Sequence, residues 1–304
     1  MKAHVFLMLA AAALGPRVAD AEVVSAPART EAPDSASFHE GFVQLSTGIR
    51  LHYVEQGRQD GPVLVLLHGY TDSYLSFDRV LPILSRRFHV YALDQRGHGD
   101  SSRPECCYSQ SDFAADVAAF LDSQGIQRAV LVGHSMGSFI AQQVALEYPS
   151  RVQALVLIGS APTVHGNPVA ADLMSYVETL SDPIDPAFVR DFQASTFYRP
   201  IPPSFLDTAV SESLKVPARV WQAALSGLIA EDHSARLAEI SVPTLVVGGD
   251  QDGFFPVSEQ QALADALPRG SLALYPETGH APHVEQPHRF VHDVTRFLHG
   301  LRRE

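Results

Sequence analysis

Ser135 stands between Gly133 and Gly137 in the run Gly133-His134-Ser135-Met136-Gly137, and this spacing could do nucleophilic chemistry. The run follows the apolar stretch Ala129-Val130-Leu131-Val132 and precedes a helical pattern over 138–146. A strand that turns sharply into a helix strains the serine backbone and demands small neighbours, hence the glycines. It also aims the amide end of the helix at the place where negative charge forms. A serine hydroxyl is a weak nucleophile at its own pKa and needs a base, which a third group must orient. The base expected here is His280, a loop histidine following Glu277-Thr278-Gly279 and exposed enough to exchange protons. His283 and His288 lie near it but fall at the start of a helical segment and suit the role less well. Two acids compete for the third position. Asp250 and Asp252 both follow the apolar stretch 242–249. In an extended segment they point to the same side, so periodicity does not separate them.

These residues need a scaffold, and the chain supplies one. Apolar runs at 63–67, 88–93, 129–132, 152–159, 242–249 and 271–276 read as buried strands. Helical segments between them, one ending near 85, one at 111–122 and one at 138–146, give a β-α alternation. Continuous apolar strands alternating with helices imply an α/β fold with a mostly parallel central sheet covered on both faces. Residues 42–55, with Gly48 at the turn, read as a leading antiparallel hairpin. The rhythm breaks over 162–236, where Pro183, Pro186, Pro200, Pro202 and Pro203 punctuate helical pieces at 187–194 and 218–228. This stretch is expected to be an inserted, mostly helical cap on a core of 38–161 and 237–304.

The order Ser135, Asp252, His280 on alternating strands and helices resembles the α/β-hydrolase superfamily. Leu66-Leu67-His68-Gly69-Tyr70 is similar to that family's loop after the first buried strand, and Ala92-Leu93-Asp94-Gln95-Arg96-Gly97-His98-Gly99 to the strand and turn after it. The resemblance spans about residues 40–300. It implies that the backbone amides of Tyr70 and Met136 form the oxyanion hole. It also implies Asp252 as the acid, because the family's acid stands three residues after a glycine (Gly249) and shortly before a proline (Pro256). Asp250 is then expected to hold the turn by bonding nearby amides. Dehalogenases and epoxide hydrolases of this fold carry aspartate where Ser135 stands, so the sequence departs from them. His68-Gly69-Tyr70 is of the single-glycine type shared by many small-molecule esterases, lactonases, carbon–carbon bond hydrolases and cofactor-free haloperoxidases. The implied activity is serine hydrolysis of a small, partly apolar carboxylic ester or lactone, without cofactor or metal. Carbon–carbon hydrolysis, perhydrolase chemistry with the same triad, and ligand reception on the same fold are the alternatives. Phe254 and Phe255, just past the acid, are expected to line the pocket. Trp221, in the cap, is expected there with them.

Composition bounds the remainder. The chain has 304 residues, 46 % of them hydrophobic, enough for a sizeable core. A net charge of −12 argues against nucleic acid or an anionic membrane as partner and carries no conclusion about the substrate; the small-molecule substrate is what the resemblance implies, and the oligomeric state stays open. Lys2 followed by an apolar stretch at 5–14 and by Ala19-Asp20-Ala21 has the form of a cleavable signal peptide over 1–21. Export to the periplasm or medium is therefore expected, with no lasting membrane insertion. Residues 22–37, rich in Ala, Pro, Ser and Glu, read as a disordered leader. The two cysteines, Cys106 and Cys107, are adjacent, and a vicinal bond, pairing between molecules or free thiols all remain open.

Overall fold

A computed structural model of the chain describes residues 38–301, so the expected signal peptide (1–21) and leader (22–37) lie outside the described residues. Eight strands form one sheet: β1 (Phe38–Gln44), β2 (Arg50–Gly57), β3 (Val63–Leu67), β4 (His89–Leu93), β5 (Ala129–His134), β6 (Val152–Ile158), β7 (Thr244–Gly249) and β8 (Gly270–Tyr275). Their spatial order is β1-β2-β4-β3-β5-β6-β7-β8. β1, β2 and β4 pair antiparallel in sequence across the sheet, and all pairings from β4 to β8 are parallel.

The apolar runs are continuous because both faces of each strand are covered. In β3, Val65 and Leu67 face one core with Phe113, Val117 and Phe120 of α2 (after α1, Leu81–Leu84; α2 is Gln110–Ser123). Leu64 and Leu66 face the opposite core with Leu81 and Leu84 of α1. The helix α3 (Met136–Glu147) joins the first core. Each such side chain taken from water contributes about 1.5–3 kcal/mol, which makes the strand ends rigid platforms for loops.

Between β6 and β7 the chain forms four helices, α4 (Pro168–Val177), α5 (Pro186–Ser195), α6 (Pro203–Leu214) and α7 (Ala218–Ala230). Prolines start three of them, Pro186 and Pro203 among those that break the sequence rhythm. Pro168 follows an Asn167 cap and Pro186 an Asp185 cap, where a fixed φ and a missing N–H cost nothing. The remaining helices are α8 (Val257–Ala266), α9 (Pro282–Glu285) and α10 (Pro287–Gly300).

One element departs from expectation. The single helix expected to run to about 85 is a 3-10 turn, Tyr74–Phe77, followed by the one-turn α1. Asp94 Oδ1 accepts from the Tyr74 amide at 2.7 Å, and Ser73 caps the turn, so the backbone from 68 to 73 is held as a loop beside the strand ends. The turn after β4 is held by Arg96, whose guanidinium forms a buried bidentate pair with Asp116 at 2.6 and 2.7 Å. Arg96 Nη1 also donates to the carbonyl of Cys107 at 2.6 Å, and Cys106 and Cys107 are joined by a disulfide.

Candidate active site

Ser135 joins β5 to α3 with φ 50° and ψ −121°, a conformation that side-chain-bearing residues rarely adopt. The turn holds because its amide donates to the Ile158 carbonyl at 2.9 Å and its carbonyl accepts from Ser138. The flanking glycines are there for space. A Cβ on Gly137 would lie 2.1 Å from the Leu67 carbonyl oxygen, and one on Gly133 2.2 Å from that of Gly137. Both clashes are with backbone that cannot swing away. Gly137→Ala is expected to destabilise the fold by about 3 kcal/mol, the upper range for overpacking, as read from denaturant unfolding.

His280 follows β8, and its Nδ1 lies 3.1 and 2.9 Å from the two carboxylate oxygens of Asp252. A carboxylate only accepts, so Nδ1 carries the hydrogen and Nε2 is left as an acceptor. Asp252 Oδ1 also accepts from the amides of Phe254 and Phe255 at 2.8 and 3.1 Å, which fixes its orientation. Asp250 is engaged elsewhere, accepting from the Thr278 amide at 3.4 Å. The exposed histidine expected from the sequence is in fact 4 % exposed. The loop before α6 covers it, Thr196 accepting from the His280 amide at 2.9 Å, so its access is to an internal cavity rather than to bulk solvent.

The loop His68–Tyr70 approaches Ser135 from β3. Gln95 grips it twice, donating its amide to His68 Nε2 and its side chain to the His68 carbonyl. Neither the Tyr70 nor the Met136 amide has a hydrogen-bond partner among the described residues. The Met136 side chain turns into the core, leaving only its backbone for the site.

Ser135, Tyr70 and His280 line one cavity roofed by the cap, with Val164, Leu173, Phe192, Leu225, Leu228 and Phe254 among its apolar walls. Phe255 lines it as well. Trp221 does not, which corrects the sequence expectation. Tyr70 stands in front of it, donating its hydroxyl to the Trp221 carbonyl at 2.6 Å and packing edge-on against the indole, which is fully buried among Phe188 and Phe192. Trp221 therefore braces the loop that carries the Tyr70 amide. Arg190 pairs with Asp207, and Arg199 donates to the Glu277 carbonyl, so neither arginine serves the cavity. Sequence reasoning assigned no role to Asp72, His134 or Gln193, which also line it. The only signal was their position, Asp72 in the loop after β3 and His134 directly before the serine.

The profile of the family described as alpha/beta hydrolase fold matches residues 62–287. The chain belongs to the α/β-hydrolase family. A putative carbamate hydrolase of Variovorax paradoxus is 31 % identical over 261 residues, covering 82 % of this chain and 96 % of its own. Bifunctional epoxide hydrolase 2 of Sus scrofa is 36 % identical over 138 residues, 44 % of this chain, and the chain spans only 24 % of that protein's length. The solved esterase from Rhodococcus sp. ECU1013 superposes with a TM-score of 0.75 at 27 % identity, covering 86 % of this chain and 98 % of that one. The relatives of this α/β-hydrolase thus bear hydrolase names that differ in the bond cleaved. Its eight-stranded, mostly parallel sheet and inserted helices are the architecture of the family.

Proposed function

We propose that this α/β-hydrolase cleaves a small, partly apolar carboxylic ester or lactone through an acyl-enzyme on Ser135. The observation that carries the reading is the pairing of His280 Nδ1 with Asp252 in the cavity where Ser135 is held at positive φ. In this mechanism His280 Nε2 takes the Ser135 proton as the hydroxyl oxygen attacks the carbonyl carbon. The amides of Tyr70 and Met136 hold the oxyanion, each such donor being worth about 3 kcal/mol. His280 then gives its proton to the leaving alcohol and activates water to release the acid. Asp252 keeps the imidazole in the required tautomer and stabilises it when charged. Alcohol leaving groups need the least help, and the walls of Leu173, Phe192, Leu225 and Phe254 suit an apolar chain of modest length.

The test is labelling with a fluorophosphonate, located by peptide mass spectrometry, together with turnover of p-nitrophenyl esters of graded chain length. Covalent modification at Ser135 and a clear chain-length optimum are expected. Turnover without labelling at Ser135, or no ester turnover at all, overturns the reading in favour of carbon–carbon cleavage, peroxide chemistry or ligand reception. We further propose that the enzyme is exported, on the strength of Lys2, the apolar stretch at 5–14 and the small residues Ala19 and Ala21. Amino-terminal sequencing of protein recovered outside the cytoplasm of an expressing bacterium is expected to begin at Glu22.

A further inference from the structure

The end of the cavity beside Ser135 holds more buried polarity than ester cleavage uses. Asp72 lines it with a side chain only 13 % exposed. Its Oδ1 accepts from Gln193 Nε2 at 3.0 Å. The Gly69 backbone adds a hydrogen bond to the same carboxyl. His134 Nδ1 is 3.9 Å away from Oδ2.

The state of His134 follows from its other nitrogen. His134 is 5 % exposed, and its Nε2 meets the His280 carbonyl at 3.2 Å. A carbonyl only accepts, so Nε2 carries the hydrogen and Nδ1 is a bare acceptor in the neutral ring. Burial, then the neighbouring His283 and His280, hold this imidazole well below its ordinary pKa, so it is neutral at neutral pH. Nδ1 has no hydrogen-bond partner. Asp72 Oδ2 and His134 Nδ1 thus lie 3.9 Å apart, and of the two it is Nδ1 that is sealed from solvent without a partner.

The surroundings decide what donor suits the gap. Glu212 also lines the cavity, but Lys215 Nζ neutralises it from outside at 3.0 Å. Asp252 is committed to His280. No lysine or arginine lines the cavity among the described residues, so Asp72 is the carboxylate there without a cationic partner. His283, 1 % exposed, lines the same end, with the Ser76 backbone near but neither ring nitrogen in a good hydrogen bond. Gly69 itself packs against both atoms, since a Cβ there would sit 3.0 Å from Asp72 Oδ2 and from His134 Nδ1.

We propose that this pole is a subsite for an ammonium group on the substrate, with an N–H bond directed to Asp72 Oδ2, and that it turns carboxylated substrates away. The assignment deepens the ester-hydrolase reading and rests on it for where the substrate lies. Desolvation lifts the Asp72 carboxyl to about 6 although Gln193 and the nearby His280 pull it back, and a bound cation would favour its charged form further. An ammonium offers donors and opposite charge to Asp72, whereas a carboxylate offers only further acceptors and like charge.

The test compares n-butylammonium, n-butanol and butyrate as competitive inhibitors of p-nitrophenyl acetate hydrolysis at pH 7.5. The inhibition constant for butylammonium is expected to be about tenfold below that for butanol, as for a charge-assisted bond, with butyrate the weakest of the three. Asp72→Asn is expected to erase the advantage of the ammonium over the alcohol. Equal inhibition by all three, preference for butyrate, or an ammonium advantage that survives in Asp72→Asn overturns the proposal. If Asp72→Asn does not fold, the ranking of the three ligands on the wild-type protein decides. Calorimetric titration of butylammonium into Ser135→Ala reads the subsite without turnover. Failure of the ester reading would thus appear as absent hydrolysis, and failure of the subsite as absent ammonium binding.

Discussion

Ser135→Ala is expected to lower kcat for p-nitrophenyl butyrate by roughly 10⁴–10⁶-fold with little change in KM, the pattern of a lost nucleophile in a site that still binds. The loss should be this large because the other members of the site act on the serine rather than in parallel with it. Without the hydroxyl, His280 has no proton to take in the first step, and the unpartnered amides of Tyr70 and Met136 can polarise a carbonyl only for attack by water. Alanine keeps the Cβ at the turn, so the backbone at φ 50° carries the same strain in both proteins and the elbow keeps its shape. Unchanged denaturant midpoints would exclude a folding explanation. Activity surviving within about tenfold would mean that water, not Ser135, attacks the substrate.

How much of this was legible in the sequence depends on how local each signal is. The strands were readable because a strand buried on both faces must be apolar throughout, as the two separate packing layers on Val65 and Leu67 and on Leu64 and Leu66 show. Gly133 and Gly137 were readable because the backbone clash that excludes any side chain lies within the motif and the strand beside it. Two cap helices were hidden by prolines, one of them (Pro203) among those that announced a break. Pro168 and Pro203 start α4 and α6, and a proline at a helix start looks in sequence like a proline that ends one. The helix expected to run to 85 failed for a reason 20 residues away, since Asp94 claims the Tyr74 amide. Trp221 was misplaced because hydrophobic spacing reports which face of α7 is buried and cannot report that Tyr70 stands between the indole and the cavity. The juxtaposition of Asp72 with His134 joins residues on different strand ends, and only folding brings their two acceptors together.

The competition between Asp250 and Asp252, open to periodicity, becomes a measurable asymmetry. Asp252→Asn is expected to cut kcat about 10⁴-fold, the size of an acid-to-amide replacement in a Ser-His-Asp triad. Asp250→Asn is expected to stay within about threefold of wild type, as for loss of one weak turn bond. The asymmetry follows from what each carboxylate holds. Asp252 accepts from His280 Nδ1 and from the Phe254 and Phe255 amides, whereas Asp250 accepts only a 3.4 Å bond from the Thr278 amide. An asparagine at 252 can keep its carbonyl oxygen on the two phenylalanine amides, but its amide nitrogen then faces His280 Nδ1. The imidazole answers by placing its hydrogen on Nε2, where it can no longer accept the Ser135 proton. The fluorophosphonate labelling rate at Ser135 should fall in step with kcat, because both need the same deprotonation. A protein that loses turnover but labels at the wild-type rate would place the role of Asp252 after acylation. A larger loss in Asp250→Asn than in Asp252→Asn would transfer the acid's role to Asp250 and leave Asp252 as a turn residue.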